Sequence, residues 1–138
     1  MAGYSGTPLP KKLGIKEQFC VLLLDMPVDV KAELKAALAS CSIAKDGREP
    51  LDFAMIFVNE AAGLKKKFSH VAKRLTPSGM IWVSWPKKAS GVTTDLSEND
   101  VRNIGLQAGL VDVKVCAVNE VWSGLKFVIR VKDRPSPA

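Results

Sequence analysis

Two lysines, a serine and a glycine stand together in Lys87-Lys88-Ala89-Ser90-Gly91, with Thr93 and Thr94 close behind. Ammonium groups, hydroxyls and a residue that lets the backbone come close are the parts from which an anion-binding loop is made. The stretch follows directly on an apolar run, Met80-Ile81-Trp82-Val83-Ser84-Trp85, closed by Pro86. Lys87 and Lys88 cannot prolong a buried strand, because an unpaired buried ammonium is costly, so they must reach water or an anion. A second polar exit, Asp25-Met26-Pro27-Val28-Asp29, follows another apolar run. Ligands of open α/β sheets sit in the crevice beyond the carboxyl ends of the parallel strands. We therefore expect a ligand site of Lys87, Lys88, Ser90, Gly91, Thr93, Thr94 and Asp25, with Trp122 or Lys126 closing one side. Plain solvation of a strand exit would also account for the two lysines.

Other chemistries find little support. The single histidine, His70, falls on a helix face crowded with lysines. Metal sites need several ligands at compatible spacing, and Cys20, Cys41 and Cys116 offer none, so no metal is expected. A cysteine nucleophile needs a base beside it, and the sequence places none beside Cys116. Neither a phosphate-loop nor a nucleophile-elbow spacing occurs. No catalytic residue is assigned.

The elements that must hold these residues read as an α/β chain. Phe19 to Asp25, Leu51 to Val58 and Met80 to Trp85 are dominated by apolar residues, the pattern of strands buried on both faces. Thr7-Pro8 opens a short helical turn, with threonine as its cap and Gly14 closing it. Val30, Leu34, Ala37 and Leu38 recur at helical spacing, and a weak strand covers Cys41 to Lys45. Leu64, Phe68, Val71 and Leu75 form the apolar stripe of a second helix, opposite Lys66, Lys67, His70, Lys73 and Arg74. "TPSG" breaks that helix. Ser97 caps a third, with Asp100 three residues on; Val101, Ile104, Gly105 and Ala108 share its inner face, and Gly109 ends it. Trp82 and Trp85 point to opposite faces of their strand, and Trp122 lies in the turn of a hairpin built from "VDVKVCAV" and "LKFVIRV". The order implies a three-layer α/β sandwich, mainly parallel, with an antiparallel C-terminal hairpin at one edge.

At 138 residues the chain suits one domain, with an N-terminal arm and short helix over 1–18 and a loose tail over 132–138. It is 47% hydrophobic and 25% charged, ordinary for a globular protein. No apolar run nears the ~20 residues of a membrane span, and no secretory pattern opens the chain. Three unpaired cysteines fit a reducing compartment, so the expected location is cytoplasmic. Net charge is +6, which favours anionic partners without naming one.

Two resemblances attach to these residues. "LGIKEQFCVLLLD", "LDFAMIFV", "RLTPSGMIWVS" and "AGLVDVKV" resemble successive parts of a reduced class I methyltransferase, the Rossmann-like fold of many S-adenosylmethionine enzymes. "MAGYSG", "KKLGIK", "WVSWPKKASGVTTDL" and "GLVDVKVCAVNEVWSGLKFVIR" are similar to an uncharacterised bacterial family known only as a domain of unknown function (DUF3052-like). The first implies a Rossmann-like sandwich and a cofactor. The second implies no activity. In the methyltransferases a glycine-rich turn after the first strand admits the cofactor, whereas Asp25-Met26-Pro27-Val28-Asp29 stands there and no glycine occurs between Gly14 and Gly47. The expected protein is thus a non-catalytic Rossmann-like domain without S-adenosylmethionine, binding a small anionic ligand such as a nucleotide or phosphorylated metabolite. The alternatives are an interaction or homodimerising module, and a nucleic-acid accessory protein using Lys65 to Lys67, Lys73, Arg74, Lys87 and Lys88. No membrane partner is expected.

Overall fold

The computed structural model describes residues 7–44 and 47–134. Helix α1 (Leu9–Leu13) leads into strand β1 (Cys20–Leu24), helix α2 (Val28–Leu38) and a two-residue strand β2 (Ser42–Ile43). Strand β3 (Leu51–Phe57), helix α3 (Ala61–Ala72) and the long strand β4 (Leu75–Pro86) follow. Helix α4 (Glu98–Gln107) and the hairpin β5 (Leu110–Ala117) and β6 (Trp122–Ile129) complete the chain. One six-stranded sheet runs in the order β2-β1-β3-β4-β6-β5. Neighbours from β2 to β4 are parallel, whereas β6 is antiparallel to both β4 and β5. This is the mainly parallel Rossmann-like sandwich expected, with the hairpin at the edge. Among the described residues no helix is long and apolar enough to cross a membrane.

Alternation along the strands divides the core. On one side Leu64, Phe68 and Val71 of α3 and Val101 and Ile104 of α4 pack with Ala54, Ile56, Ile81, Val83, Leu125 and Phe127. On the other, Leu9 and Leu13 of α1 and Val30 and Leu34 of α2 pack with Val21, Phe53, Met55, Phe57 and Trp82. Trp85 joins the first group and Trp82 the second, as their opposite parity requires.

Several local expectations change. Thr7 does not cap α1; Pro8 occupies that position without a side-chain bond, and Gly14 closes the helix in the left-handed region at φ 83°. Strand β1 buries only Val21 fully, since the two-residue β2 gives it little cover. "TPSG" is not a break between elements but part of β4. Leu75 pairs with Leu51 and Met80 with Phe53, so five steps on β4 span two on β3, and the excess bulges out. Leu75 has left α3 yet still packs on the same core. Ala108 is exposed as the residue closing α4. Of the weak strand, Lys45 lies outside the described residues, as do residues 1–6 of the arm and 135–138 of the tail.

Helix α4 is positioned as its sequence specifies. The Ser97 hydroxyl accepts the Asp100 N–H at 3.3 Å, and the Asp100 carboxylate accepts the Ser97 N–H at 3.0 Å. A Cβ on Gly105 would overlap the Phe127 ring, so glycine is what lets α4 lie against β6. Two effects compete in Gly105→Ala: better helix propensity, worth up to ~1 kcal/mol, and overpacking, which costs roughly 1–3 kcal/mol. Overpacking should win because Phe127 is fully buried and held edge-to-face on Phe68, with centroids 5.1 Å apart. Urea unfolding should therefore find Gly105→Ala destabilised, whereas Gly63→Ala in α3, where a Cβ would meet nothing within 4 Å, should be neutral or stabilising.

Candidate functional site

The carboxyl ends of β1 and β3 open onto a cleft of about 410 Å³ lined by Asp25, Phe57, Val58, Asn59, Glu60, Gly63, Lys67 and Trp122. That volume lies in the range of ligand pockets, roughly 300–1,000 Å³. Asp25 follows the last residue of β1 and adopts φ 58°, a left-handed conformation that side chains other than those of asparagine and aspartate rarely accept. Its carboxylate accepts a hydrogen bond from the Lys67 ammonium of α3 at 2.7 Å, across the mouth of the cleft. Trp122 begins β6 opposite Pro86 and meets Phe57 edge-to-face, with centroids 5.0 Å apart. The wall therefore combines an aromatic pair with an ion pair.

The two expected loops meet this cleft differently. Pro86 to Thr94 leaves β4 next to β3, and the Lys87 N–H is held by the Val121 carbonyl at 2.7 Å, beside Trp122. Lys88–Ser90 form a 3-10 turn closed by Gly91 at φ 78°, a left-handed position that suits glycine. The Ser90 hydroxyl donates to the Lys87 carbonyl at 2.6 Å and accepts the Val92 N–H. The Thr94 hydroxyl donates to the Asn59 carbonyl at 2.7 Å and accepts the Leu96 N–H. The Ser90 hydroxyl thus shapes the loop, and the Thr94 hydroxyl ties it to Asn59 of the cleft. Of the expected site residues Asp25 and Trp122 line the cleft, whereas Lys87, Lys88, Ser90, Gly91, Thr93 and Thr94 do not. Asp95 completes the tie by accepting the Ala61 N–H at the start of α3.

Two residues sit elsewhere than their sequence context implied. Trp122 is in strand β6 rather than in the hairpin turn. Lys126 pairs across β4 with Trp82 and across β5 with Lys114, on the α1 side of the sheet and away from the cleft. The basic face of α3 is also thinner than its composition implies. Lys67 is engaged by Asp25, and the Arg74 side chain is only 10% exposed, its Nε donating to the Glu49 carbonyl. His70 is exposed. Sequence reasoning missed Asn59 and Glu60, although they leave the carboxyl end of the second apolar run by the same rule that singled out Asp25. Among the described residues no group of three His, Cys, Asp or Glu side chains is placed to hold a metal ion.

All three thiols are less acidic than an ordinary cysteine. Burial is the first cause for each, reinforced at Cys20 by Glu49 and Asp52 and opposed at Cys116 by Lys12, Lys114 and Lys87. A raised pKa leaves less thiolate near neutral pH. Iodoacetamide at pH 7.5 should label each cysteine more slowly than free cysteine, which mass spectrometry of timed samples would check. At Asp25 the left-handed backbone sets the ranking: Asp25→Gly should be more stable than Asp25→Ala by about 1 kcal/mol in urea unfolding, because both lose the Lys67 contact and only alanine bears the strain.

The sequence matches, over residues 11–131, a family described as a protein of unknown function (DUF3052). No curated protein matches the chain. Among solved structures, a SAM-dependent methyltransferase from Aquifex aeolicus is similar with a TM-score of 0.61 at 14% identity, covering 85% of each chain. Magnesium protoporphyrin IX methyltransferase from Synechocystis PCC 6803 gives 0.57 at 12% identity, over 87% of this chain and 78% of that one. Precorrin-6y C5,15-methyltransferase from Geobacter metallireducens gives 0.56 at 10%, over 88% and 85%. Likeness at such identities establishes a methyltransferase-like Rossmann fold and nothing about chemistry.

Proposed function

The chain belongs to the DUF3052 family, and from that premise we propose that it is a non-catalytic Rossmann-like module that binds a small anionic ligand of the nucleotide class. The observation that carries this reading is the cleft at the carboxyl ends of β1 and β3, where the Phe57–Trp122 pair stands opposite the Asp25–Lys67 ion pair. A planar base suits the aromatic wall. The Asp25 and Glu60 carboxylates can only accept hydrogen bonds, which suits sugar hydroxyls. Lys87 and Lys88, which follow Pro86, the cross-strand partner of Trp122, would supply the positive charge for a phosphate reaching past the cleft lining.

The fold is also that of S-adenosylmethionine enzymes, but the β1–α2 turn does not fit that cofactor. A close backbone approach needs glycine, and here Asp25 takes the left-handed position with a carboxylate already bound to Lys67, followed by Met26 and by Pro27, which has no N–H to donate. No methyl-transfer step is assigned to these residues.

A thermal-shift screen over nucleotides, coenzymes and sugar phosphates tests the reading. Ligand at 100 times its Kd stabilises a fold by about 2.7 kcal/mol, so one nucleotide class should raise the Tm by several degrees. Trp122→Ala should abolish that rise, and the Lys87→Ala/Lys88→Ala double variant should weaken it while leaving the unliganded Tm within a few degrees, since Lys88 is exposed, half-buried Lys87 is held through its backbone N–H, and surface substitutions usually cost under ~0.5 kcal/mol each. Calorimetry that finds micromolar binding of S-adenosylmethionine, with no response to nucleotides, would overturn it.

A further inference from the structure

The α1 side of the hairpin carries a charge arrangement that the cleft does not use. Lys114 and Lys126 stand directly opposite each other on β5 and β6. Cross-strand partners lie only about 4.5–5.5 Å apart at Cβ, and like charges there destabilise a sheet. Lys16, just beyond α1, adds a third charge to the same neighbourhood. Among the described residues no carboxylate forms an ion pair with Lys16, Lys114 or Lys126. Burial lowers the Lys126 pKa below the ordinary lysine value, and the charges of Lys114 and Lys16 lower it further, with no acid acting the other way.

The backbone fixes this cluster rather than leaving it to mobile side chains. Trp82, fully buried, donates its indole N–H to the Leu13 carbonyl at 2.8 Å and so pins the end of α1 across the sheet. Lys12 reaches over to the Ala117 carbonyl at 3.1 Å, and Lys114 reaches back to the Lys12 carbonyl at 3.1 Å. Lys126, half-buried between Trp82 of β4 and Lys114 of β5, makes no hydrogen bond to a described residue, so its three donors are available to a ligand.

We propose that Lys114 and Lys126, with Lys16 beside them, form a second anion site that takes a single phosphate or diphosphate group, separate from the cleft. Lys126 lies four positions along β6 from Trp122, about 13 Å at roughly 3.3 Å per residue, so one mononucleotide in the cleft does not fill both sites. The compactness of the cluster favours a small anion over a nucleic-acid strand. A strand-binding surface sets aromatic rings among its cations for the bases, and no described aromatic ring is exposed beside these lysines.

Pyrophosphate is the probe, titrated by calorimetry at constant ionic strength into the intact protein. It should bind with one site assigned to this cluster. Lys114→Gln/Lys126→Gln should weaken that binding at least ~10-fold, the loss expected when charge-assisted hydrogen bonds are removed. Trp122→Ala should leave it unchanged, which separates failure here from failure of the cleft reading. Without pyrophosphate the double variant should melt no lower than the parent, because a like-charge pair is relieved, so loss of binding cannot be ascribed to misfolding. Unchanged pyrophosphate affinity in the double variant would overturn the proposal. So would stabilisation equalled by sodium chloride at the same ionic strength, or binding of a single-stranded RNA 12-mer that depends on both lysines and that pyrophosphate does not compete.

Discussion

The hydrogen bond from the Trp82 indole to the Leu13 carbonyl ties the N-terminal helix to the interior of the sheet. Trp82 is fully buried in the middle strand of the sheet, with β3 on one side and β6 on the other. Its N–H must find an acceptor there, since a buried donor left unpaired costs about 1–3 kcal/mol. The acceptor comes from α1, a five-residue helix too short to persist alone in water. Packing of Leu9 and Leu13 supplies the affinity of α1 for the sheet, while the indole bond sets where along β4 it docks. That position carries Lys12 and Lys16 to the hairpin, so the basic cluster there follows from how one tryptophan satisfies its only polar atom.

The change of direction between β4 and β6 does comparable work for the cleft. In an all-parallel sheet, the carboxyl end of β4 would lie beside another carboxyl end and its loop. Because β6 runs the other way, the carboxyl end of β4 lies beside the start of β6 instead. Pro86 thereby faces Trp122, and the aromatic ring arrives at the mouth of the crevice from a rigid strand rather than a mobile loop. Asp25 arrives from β1 on a strained backbone. Aspartate is one of the few residues that accept this backbone, and Lys67 from α3 adds a contact to its carboxylate.

The order of elements was legible because apolar runs and helical periodicity report which face of an element is buried. The capping box at Ser97 and the close approach at Gly105 were legible for a related reason, since each needs a particular residue type at one position. Partners in space were not legible. "TPSG" has turn composition, yet its pairing with β3 absorbs it into β4 as a bulge. Trp122 follows turn residues, yet the antiparallel partner draws it into a strand. Lys126 shares a face of β6 with Trp122, but four positions along the strand, about 13 Å, carry it away from the cleft to stand beside Trp82. Ser90 and Thr94 have the chemistry of ligand donors, but local backbone carbonyls lie within reach and take their protons. Arg74, polar by type, is covered where the chain from Glu49 passes over it.

The two charged regions differ in a way that bears on what each can recognise. In the cleft, Lys67 is already matched by Asp25, and the pair is exposed enough to exchange partners at little cost. On the proposed reading, a ligand there gains little from charge alone and is selected by the shape and stacking of the Phe57–Trp122 wall, with Lys87 and Lys88 adding attraction from the loop beyond Pro86. At the hairpin the opposed lysines have no carboxylate between them, so an anion gains twice, by pairing and by relieving repulsion. On the two proposals, one surface would discriminate and the other attract. The net charge of +6 favours an anionic partner for either surface without identifying one.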